Sequence, residues 1–185
     1  MGGKLNTSFA VFKVEEDNAT ELDPGAAPLP DGSAAYRAVN GASTRGFETT
    51  VSGEVARGWQ LMAGYTYSAK FTSKNVLMNT NYPQRMFRLA TSYRLPGALS
   101  KLTVGGNLSY QSGISYVETY SNQTATMGGM TLIGLMARYE VTPQLSLSLN
   151  VENLTDKYYY TGLGGYNGYT YGNPRNTWLK ANYKF

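Results

Sequence analysis

The last eleven residues of the chain, RNTWLKANYKF, alternate strictly and end on an aromatic ring. Every second residue from Thr177 to Phe185 is apolar or carries a methyl group, and the residues between them are polar except Trp178. A period of two with one apolar side is the pattern of a β-strand whose two faces meet different surroundings. Wherever this pattern recurs, it restricts the chain to extended structure.

The alternation recurs in seven further segments, so the sequence predicts eight strands. They lie at residues 4–14, 36–56, 59–68, 87–95, 102–111, 133–141, 145–152 and 177–185. The connections alternate between long loops, at 15–33, 72–84, 119–126 and 158–174, and tight turns, at 57–58, 96–98 and 142–143. This order predicts an all-β, antiparallel up-and-down sheet in a single domain, residues 1–185, with every tight turn and both chain ends on one side.

The residues that are missing from the sequence exclude several functions. The chain has no Cys and no His, which removes thiolate chemistry, the usual general base and the commonest transition-metal ligand. The acidic run at 15–17 lacks the spaced oxygen ligands of a calcium loop. We therefore expect no enzyme, no catalytic residue, no cofactor and no metal site. The net charge of +4 contains no basic cluster, so nucleic acid is not an expected partner.

Alternation alone leaves open whether the apolar face points into a soluble binding barrel or outward to lipid. Two features favour lipid. Aromatic residues stand near both ends of the strands, where they would form two interfacial girdles, and most strands reach the roughly 9 to 11 residues that a spanning strand needs. The other face is rich in Ser, Thr, Gly and Asn and carries the charges of Glu48, Glu54, Arg88, Arg94, Arg138, Glu140 and Glu152.

The sequence therefore predicts a transmembrane β-barrel with a polar interior. A lipid-exposed sheet edge would leave backbone groups unpaired, so the first and last strands need partners. Either they pair with each other in a closed eight-stranded barrel, or they pair with strands that this chain lacks. In a closed small barrel the seven charged side chains share a narrow lumen, and we expect them to form ion pairs there.

Several segments resemble one family when they are taken in order. These are TRGFE at 44–48, GW at 58–59 with GYTY at 64–67, Pro83 before the strand at 87–95, NLTDKYY at 153–159, YGNPR at 171–175 and the final Phe185. Together they are similar to the C-terminus of TonB-dependent outer-membrane receptors, in particular ferric-siderophore receptors. The resemblance implies a bacterial outer-membrane location, contact with outer-membrane lipid and with the barrel assembly machinery, and a parent protein that takes up iron-siderophore.

Family members have a larger barrel of 22 strands closed by a plug domain, and an N-terminal motif that contacts TonB; neither plug nor motif is found here. The resemblance thus suggests the last eight strands of such a receptor, beginning at an added or coincidental Met1, and a segment that lacks active transport on its own. The alternative is a truncated or engineered eight-stranded barrel that serves as a folding scaffold with no ligand.

Two sets of candidate site residues follow from the resemblance. The outward row Leu179, Ala181, Tyr183 and Phe185 resembles the signal that the assembly machinery recognises, although an ordinary amphipathic last strand has the same pattern. In the loop at 158–174, four tyrosines are candidates for stacking on an aromatic siderophore: Tyr160, Tyr166, Tyr169 and Tyr171. The alternative for this loop is a Gly-Tyr segment at the membrane rim that binds nothing.

Overall fold

The computed structural model describes residues 4–23, 25–39, 41–78, 80–117, 123–165 and 168–185. The strands in chain order are β1 Lys4–Glu16, β2 Ala19–Leu22, β3 Tyr36–Val39, β4 Ala42–Ala56, β5 Trp59–Phe71, β6 Leu77–Met78, β7 Arg85–Arg94, β8 Leu102–Gln111, β9 Ile114–Val117, β10 Thr124–Met127, β11 Met130–Glu140, β12 Leu145–Glu152, β13 Tyr160–Gly165, β14 Gly168–Tyr171 and β15 Asn176–Tyr183. Within these described ranges, the one helical element is a 3-10 turn at Gly97–Leu99. Nowhere in the described chain does a helix have the length and apolar character needed to cross a membrane.

The eight long strands form one antiparallel sheet in the order β1-β4-β5-β7-β8-β11-β12-β15, and the two-residue β6 pairs with the end of β5. Each long strand therefore lies beside the long strands that precede and follow it in the sequence. This is the all-β, antiparallel up-and-down arrangement that the alternation predicted. We call these eight strands the wall.

The register across the wall keeps the apolar positions on one face. Thr49 of β4 lies opposite Phe9 of β1 and Tyr65 of β5. Farther along, Leu149 of β12 lies opposite Ala137 of β11 and Leu179 of β15. Side chains on this face are open to the surroundings; Phe9 is 69% exposed and Leu179 is 70% exposed. An apolar face that is this exposed along its whole width is suited to lipid rather than water.

The opposite, polar face is the concave one. A cavity of about 450 Å³ runs along it, and its lining includes Ser52 of β4, Asn107 of β8 and Trp178 of β15. Residues from strands near the two edges of the wall thus line one space, which requires the sheet to curl around its polar side. The apolar face is then convex, so the expectation of apolar-out and polar-in is confirmed.

The wall has two open edges in the described chain. There β1 pairs only with β4, and β15 pairs only with β12. Closure of the eight strands on themselves therefore stays a prediction, as does pairing with further strands.

The tight turns lie together, as predicted, with both chain ends. Gly58 adopts a left-handed backbone with φ of 79°, and the Glu54 carboxylate accepts a 2.8 Å hydrogen bond from its N–H. The segment 96–98 turns through the 3-10 helix, and the Thr142 hydroxyl accepts hydrogen bonds from the N–H groups of two following residues, 144 and 145. Lys4 and Tyr183 pair with residues beside these turns. This side is the tight-turn end, and the other is the loop end.

The structure corrects the sequence reasoning mainly at the loop end. The second strand was predicted to start at residue 36, but Tyr36–Val39 pairs with Ala19–Leu22 in a separate hairpin, and the wall strand begins at Ala42. Gly41, with φ of 82°, breaks the extended backbone between the two. The predicted loop at 119–126 overlaps strand β10, which pairs with β9 just before the loop, and the predicted loop at 158–174 contains the paired strands β13 and β14. Residues 119–122 of the first loop lie outside the described chain.

Candidate functional site at the loop end

Four tyrosines from the last connection converge at the loop end of the wall. β13 and β14 pair as a hairpin that sets Tyr160 opposite Tyr171, with ring centroids 4.9 Å apart. The Tyr158 ring lies 5.1 Å from the Tyr171 ring, and the Tyr169 ring lies 5.4 Å from that of Tyr160. Three of the four predicted ligand contacts are thus brought together, with Tyr158 added. We call these four residues the tyrosine cluster.

Hydrogen bonding within the cluster favours the neutral phenols. The hydroxyl of Tyr171 hydrogen-bonds Tyr158 and Tyr160 and raises the pKa of both phenols above the ordinary tyrosine value. The cluster is therefore a set of uncharged rings with exposed edges and faces at neutral pH. Tyr166, the fourth predicted contact, lies outside the described residues.

The base of this hairpin is held by Asn153, one of two buried polar residues in the described chain. Its side-chain amide donates hydrogen bonds to the carbonyl oxygens of Lys157, at 2.9 Å, and Asn173, at 3.0 Å. Its side-chain oxygen accepts one from the Lys157 N–H at 2.8 Å. One amide thus connects both ends of the segment 157–173.

A second residue of the same motif completes this connection. Asp156 accepts a 2.8 Å hydrogen bond from the N–H of Arg175, where the chain enters β15. Asn153 and Asp156 both have positive φ, 46° and 53°, which Asn and Asp tolerate better than most residues. We call the pair the hairpin clamp. The sequence reasoning used these residues only for the resemblance; two Asx residues three apart at a strand end were a signal for a turn.

The seven predicted lumen charges all lie on the concave face, but they do not form one network. Arg94 and Glu140 form an ion pair at 3.1 Å, and Arg94 also donates to the Ser100 carbonyl oxygen. Glu54 holds the turn at Gly58. For the remaining four, no ion pair occurs within the described chain: Glu48, Arg88, Arg138 and Glu152.

The sequence analysis did not predict two contacts that charged side chains make at the loop end. Lys70 of β5 forms an ion pair with Glu16 of β1 at 2.6 Å, across the intervening strand β4. The Arg45 guanidinium lies 4.2 Å from the centroid of the Phe71 ring. Both contacts join residues far apart in the sequence, so no local pattern revealed them.

The terminal strand places its predicted assembly residues on the convex face. Leu179, Ala181 and Tyr183 lie opposite apolar residues of β12, and Tyr183 packs edge-on against Phe185 at 5.2 Å between centroids. Phe185 follows the last residue of β15 and is fully exposed. In the described ranges no group of three His, Cys, Asp or Glu side chains is arranged to hold a metal ion.

Comparison with known proteins assigns this architecture. A family model described as TonB dependent receptor-like, beta-barrel, matches residues 1–154. This chain belongs to the TonB-dependent receptor β-barrel family. The family suggested by NLTDKYY, YGNPR and the other segments is therefore confirmed.

The TonB-dependent receptors most useful for comparison match along the whole chain. The ferripyoverdine receptor of Pseudomonas aeruginosa is 40% identical over 193 residues, which cover 100% of this chain and 23% of that receptor. The ferric-pyoverdine BN7/BN8 receptor of Pseudomonas putida is 37% identical and covers 100% of this chain and 21% of that receptor. The chain thus spans less than a quarter of the length of these relatives, which are receptors rather than enzymes.

A solved structure carries the same fold in a membrane setting. The crystal structure of the ferripyoverdine receptor of the outer membrane of Pseudomonas aeruginosa, bound to ferripyoverdine, matches with a TM-score of 0.85 and 38% identity over 98% of this chain and 25% of that chain. Membership of this family places the chain in the bacterial outer membrane.

Proposed function

We propose that this chain forms part of the barrel wall of a TonB-dependent receptor that takes up a ferric siderophore. The observation that carries the proposal is the match to ferripyoverdine receptors at 40% identity across the entire chain. The two open edges of the wall support the view that it works within a larger barrel, because unpaired edges are costly in lipid.

In this proposal the tyrosine cluster contacts the siderophore. Tyr160, Tyr169 and Tyr171 present neighbouring rings 4.9 to 5.4 Å apart, and Tyr166 extends the set in the sequence. Flat phenol rings held side by side offer stacking surfaces and hydroxyl groups to an aromatic iron-binding ligand. The hairpin clamp supports the role because it fixes where the cluster stands. If the segment instead lies at the membrane rim and binds no ligand, replacing its tyrosines should leave siderophore uptake unchanged.

By itself the chain is not expected to drive transport. The polar concave face holds an open cavity, and directional uptake needs a part that opens and closes in response to an energy source. We expect a single hydrogen-bonded sheet, as the described wall strands form, to lack such a part. Uptake therefore depends on the rest of a receptor.

A chimeric receptor tests the proposal. The matched segment of the Pseudomonas aeruginosa ferripyoverdine receptor is replaced by this chain, and uptake of radioactive iron as ferripyoverdine is measured in cells that lack their own receptor. We expect uptake by the chimera and none by the chain alone. Replacing Tyr160 and Tyr171 by Ala in the chimera should weaken ligand binding, whereas Tyr82→Ala, at an exposed tyrosine outside the cluster, should not. A surface-exposed, folded chimera without uptake would contradict the proposal.

The second candidate is a self-contained eight-stranded barrel that acts as a scaffold. The curl that brings Ser52 and Trp178 to one cavity favours it. Because the chain has no Cys, closure can be tested with pairs of introduced cysteines, one in β1 and one in β15. The positive control is Ser8→Cys with Thr50→Cys, whose hydroxyl oxygens lie 2.6 Å apart. Cross-linking between β1 and β15 as efficient as this control would establish the scaffold.

We also propose that Leu179, Ala181, Tyr183 and Phe185 form the signal for the barrel assembly machinery. Their exposure on the convex face at an unpaired edge supports this role, because an edge strand is what an assembly partner can pair with. Deleting Phe185 should reduce the amount of chimera inserted in the outer membrane of cells while leaving refolding from urea into detergent intact. Equal insertion with and without Phe185 would refute the signal.

A further inference from the structure

Charge is distributed unevenly between the two ends of the wall. The tight-turn end, taken as the strand halves and turns on that side, carries two acidic residues, Glu54 and Glu140. Its basic residues are Lys4, Arg57, Arg94, Lys101, Arg138, Lys180 and Lys184. Acidic residues are concentrated at the loop end, for example in the run at 15–17. The tight-turn end therefore carries a net positive charge, with seven basic and two acidic residues.

The two acidic side chains of this end are already engaged. Glu140 pairs with Arg94 at 3.1 Å, and Glu54 accepts the hydrogen bond from Gly58 at 2.8 Å. Arg57 and Lys101 are exposed, and in the described chain neither side chain has an ion-pair partner. These two basic groups are thus available to an anion from outside.

A cavity of about 620 Å³ lies between two neighbouring tight turns; Arg57 lines it, and Lys101 directly follows Ser100 of its lining in the sequence. The turn at 57–58 supplies Arg57, and the turn at 96–100 supplies Pro96 and Ser100, while Tyr93 and Leu95 close the side toward the convex face. The two turns are adjacent because β5 pairs with β7, with Trp59 opposite Tyr93 and the Arg94 N–H bonded to the Gly58 carbonyl oxygen. We call this space the turn pocket.

The turn pocket lies beside aromatic residues of the apolar face. Tyr93 lines it and pairs with Trp59 across β5 and β7; the two are 37% and 41% exposed, and the Trp59 indole N–H donates to the Thr91 hydroxyl. Aromatic rings at this depth mark the boundary between hydrocarbon and headgroups. A phospholipid has an apolar acyl region followed by a phosphate group. The aromatic rings match the acyl region, and the basic, hydroxyl-bearing pocket beyond them matches the phosphate.

We propose that the turn pocket binds the phosphate headgroup of an anionic phospholipid in the leaflet that the tight turns face. Arg57 and Lys101 supply the charge, Ser100 a hydroxyl donor, and Trp59 and Tyr93 the surface for the first carbons of the acyl chains. The site depends on the outer-membrane location of the chain and is independent of siderophore transport. It fixes the vertical position of the wall in the bilayer at the end where the turns are shortest.

Trp59 reports on this site. The chain has two Trp residues, and Trp178→Phe leaves Trp59 as the only one. This variant is refolded into phosphatidylcholine vesicles that contain the same mole fraction of brominated phosphatidylglycerol or of brominated phosphatidylcholine. Bromine quenches indole fluorescence at contact. We expect the anionic lipid to be enriched about thirtyfold near Trp59, because each of the two basic residues contributes about fivefold at a membrane surface.

Matched variants test whether the enrichment of anionic lipid depends on the basic residues of the turn pocket or on the positive charge of the whole chain. Replacing Arg57 and Lys101 together by Ala should make the two brominated lipids quench equally, and Arg57→Lys with Lys101→Arg should keep the enrichment. Replacing Lys74 and Lys157, at the loop end, removes the same charge and should leave the enrichment intact. Equal quenching in the parent, or enrichment that survives the Arg57 and Lys101 double replacement, would overturn the site.

Two further measurements separate lipid from free phosphate and guard against poor refolding. Inorganic phosphate, at an ionic strength matched with chloride, should not reduce the enrichment; if it does, the pocket is a phosphate site and the lipid assignment is wrong. The same substitutions are made in the receptor chimera, where native mass spectrometry counts the anionic and zwitterionic lipids that remain bound. Loss of the anionic lipid in the Ala variant alone is the expected result, and retention there would refute the proposal.

Discussion

The wall and the hairpins at its loop end are both antiparallel β structure, yet they are stabilised in different ways. Each inner strand of the wall pairs on both sides, and the register is continuous from β1 to β15 except for one irregularity between Glu54 and Ala56 beside the first tight turn. The hairpins β2–β3, β9–β10 and β13–β14 are separate two-stranded sheets. They depend on individual side chains such as Asn153. A wall that is stabilised by repetition should tolerate the loss of one side chain, whereas a hairpin stabilised by a few contacts should not.

The wall should not tolerate a substitution where two backbones approach each other closely, and such a substitution gives the largest expected loss of stability. A Cβ added at Gly46, which is buried in β4, would collide with the Tyr67 carbonyl oxygen and the Phe12 ring. We expect Gly46→Ala to destabilise the wall by about 3 kcal/mol, because backbone rather than a flexible side chain must move. Urea unfolding in detergent micelles, followed by Trp fluorescence, measures it.

The matched control for Gly46 lies in a hairpin. Gly162 of β13 has no atom within 4 Å of an added Cβ, so Gly162→Ala should change stability by no more than about 0.5 kcal/mol. If Gly46→Ala unfolds at the same urea concentration as Gly162→Ala, the pairing of β4 with β5 is looser than the register indicates.

The hairpin clamp is where the two regions meet. Asn153→Ala removes three hydrogen bonds from a buried site and places Ala at a φ of 46°. We expect a loss of about 2 kcal/mol, confined to segment 157–173 and visible as about thirtyfold faster amide hydrogen exchange there. Asn153→Asp keeps the accepted bond and should lose less. Equal acceleration across the wall would show that the clamp stabilises the whole sheet.

The ion pair on the concave face should contribute less. Arg94 and Glu140 side chains are 55% and 42% exposed, so solvent screens them, and Arg94→Met should cost about 0.5 to 1 kcal/mol. A double-mutant cycle with Glu140→Gln isolates the pair, and Arg138→Met, without an ion pair in the described chain, is the reference. A coupling above about 2 kcal/mol would indicate a narrow, enclosed lumen, as in a closed eight-stranded barrel.

The tyrosine cluster gives the smallest effect. Because hydrogen bonding of the Tyr158 and Tyr160 hydroxyls to the Tyr171 oxygen raises the pKa of both phenols, it favours the folded hairpin with both phenols neutral. This contribution is complete below the unfolded pKa of about 10 and is lost as the pH rises through the folded values. Tyr171→Phe should lower both pKa values in a tyrosinate absorbance titration and slightly lower the stability of the hairpin at neutral pH, where the contribution is complete. Tyr82→Phe should alter neither, and an unshifted titration in Tyr171→Phe would contradict the hydrogen bond.

The two regions also differ in how far the sequence predicted them. All eight wall strands were predicted from alternation. Residues two apart, such as Leu147 and Leu149, lie on the same face of a strand, so the pattern is visible in the local sequence alone. The loop-end hairpins were missed because strands of four to six residues are too short for an alternating pattern to stand out, and β13 consists half of glycine. The Lys70–Glu16 ion pair joins strands that are not adjacent, so it depends on the order of the sheet and on no local signal.

The sequence by itself determined the period of the strands, their apolar and polar faces and the family, since each of these is written in spacing and residue type. Only the tertiary structure decided how far the wall curls around its polar face, that the clamp at Asn153 connects both ends of the last hairpin, and that two turns enclose a pocket beside Arg57. The physical reason is that these features depend on curl and on distances between residues that are remote in the chain. A two-residue period shows to which face of the sheet a side chain points, but it says nothing about the distance between two residues that are remote in the sequence.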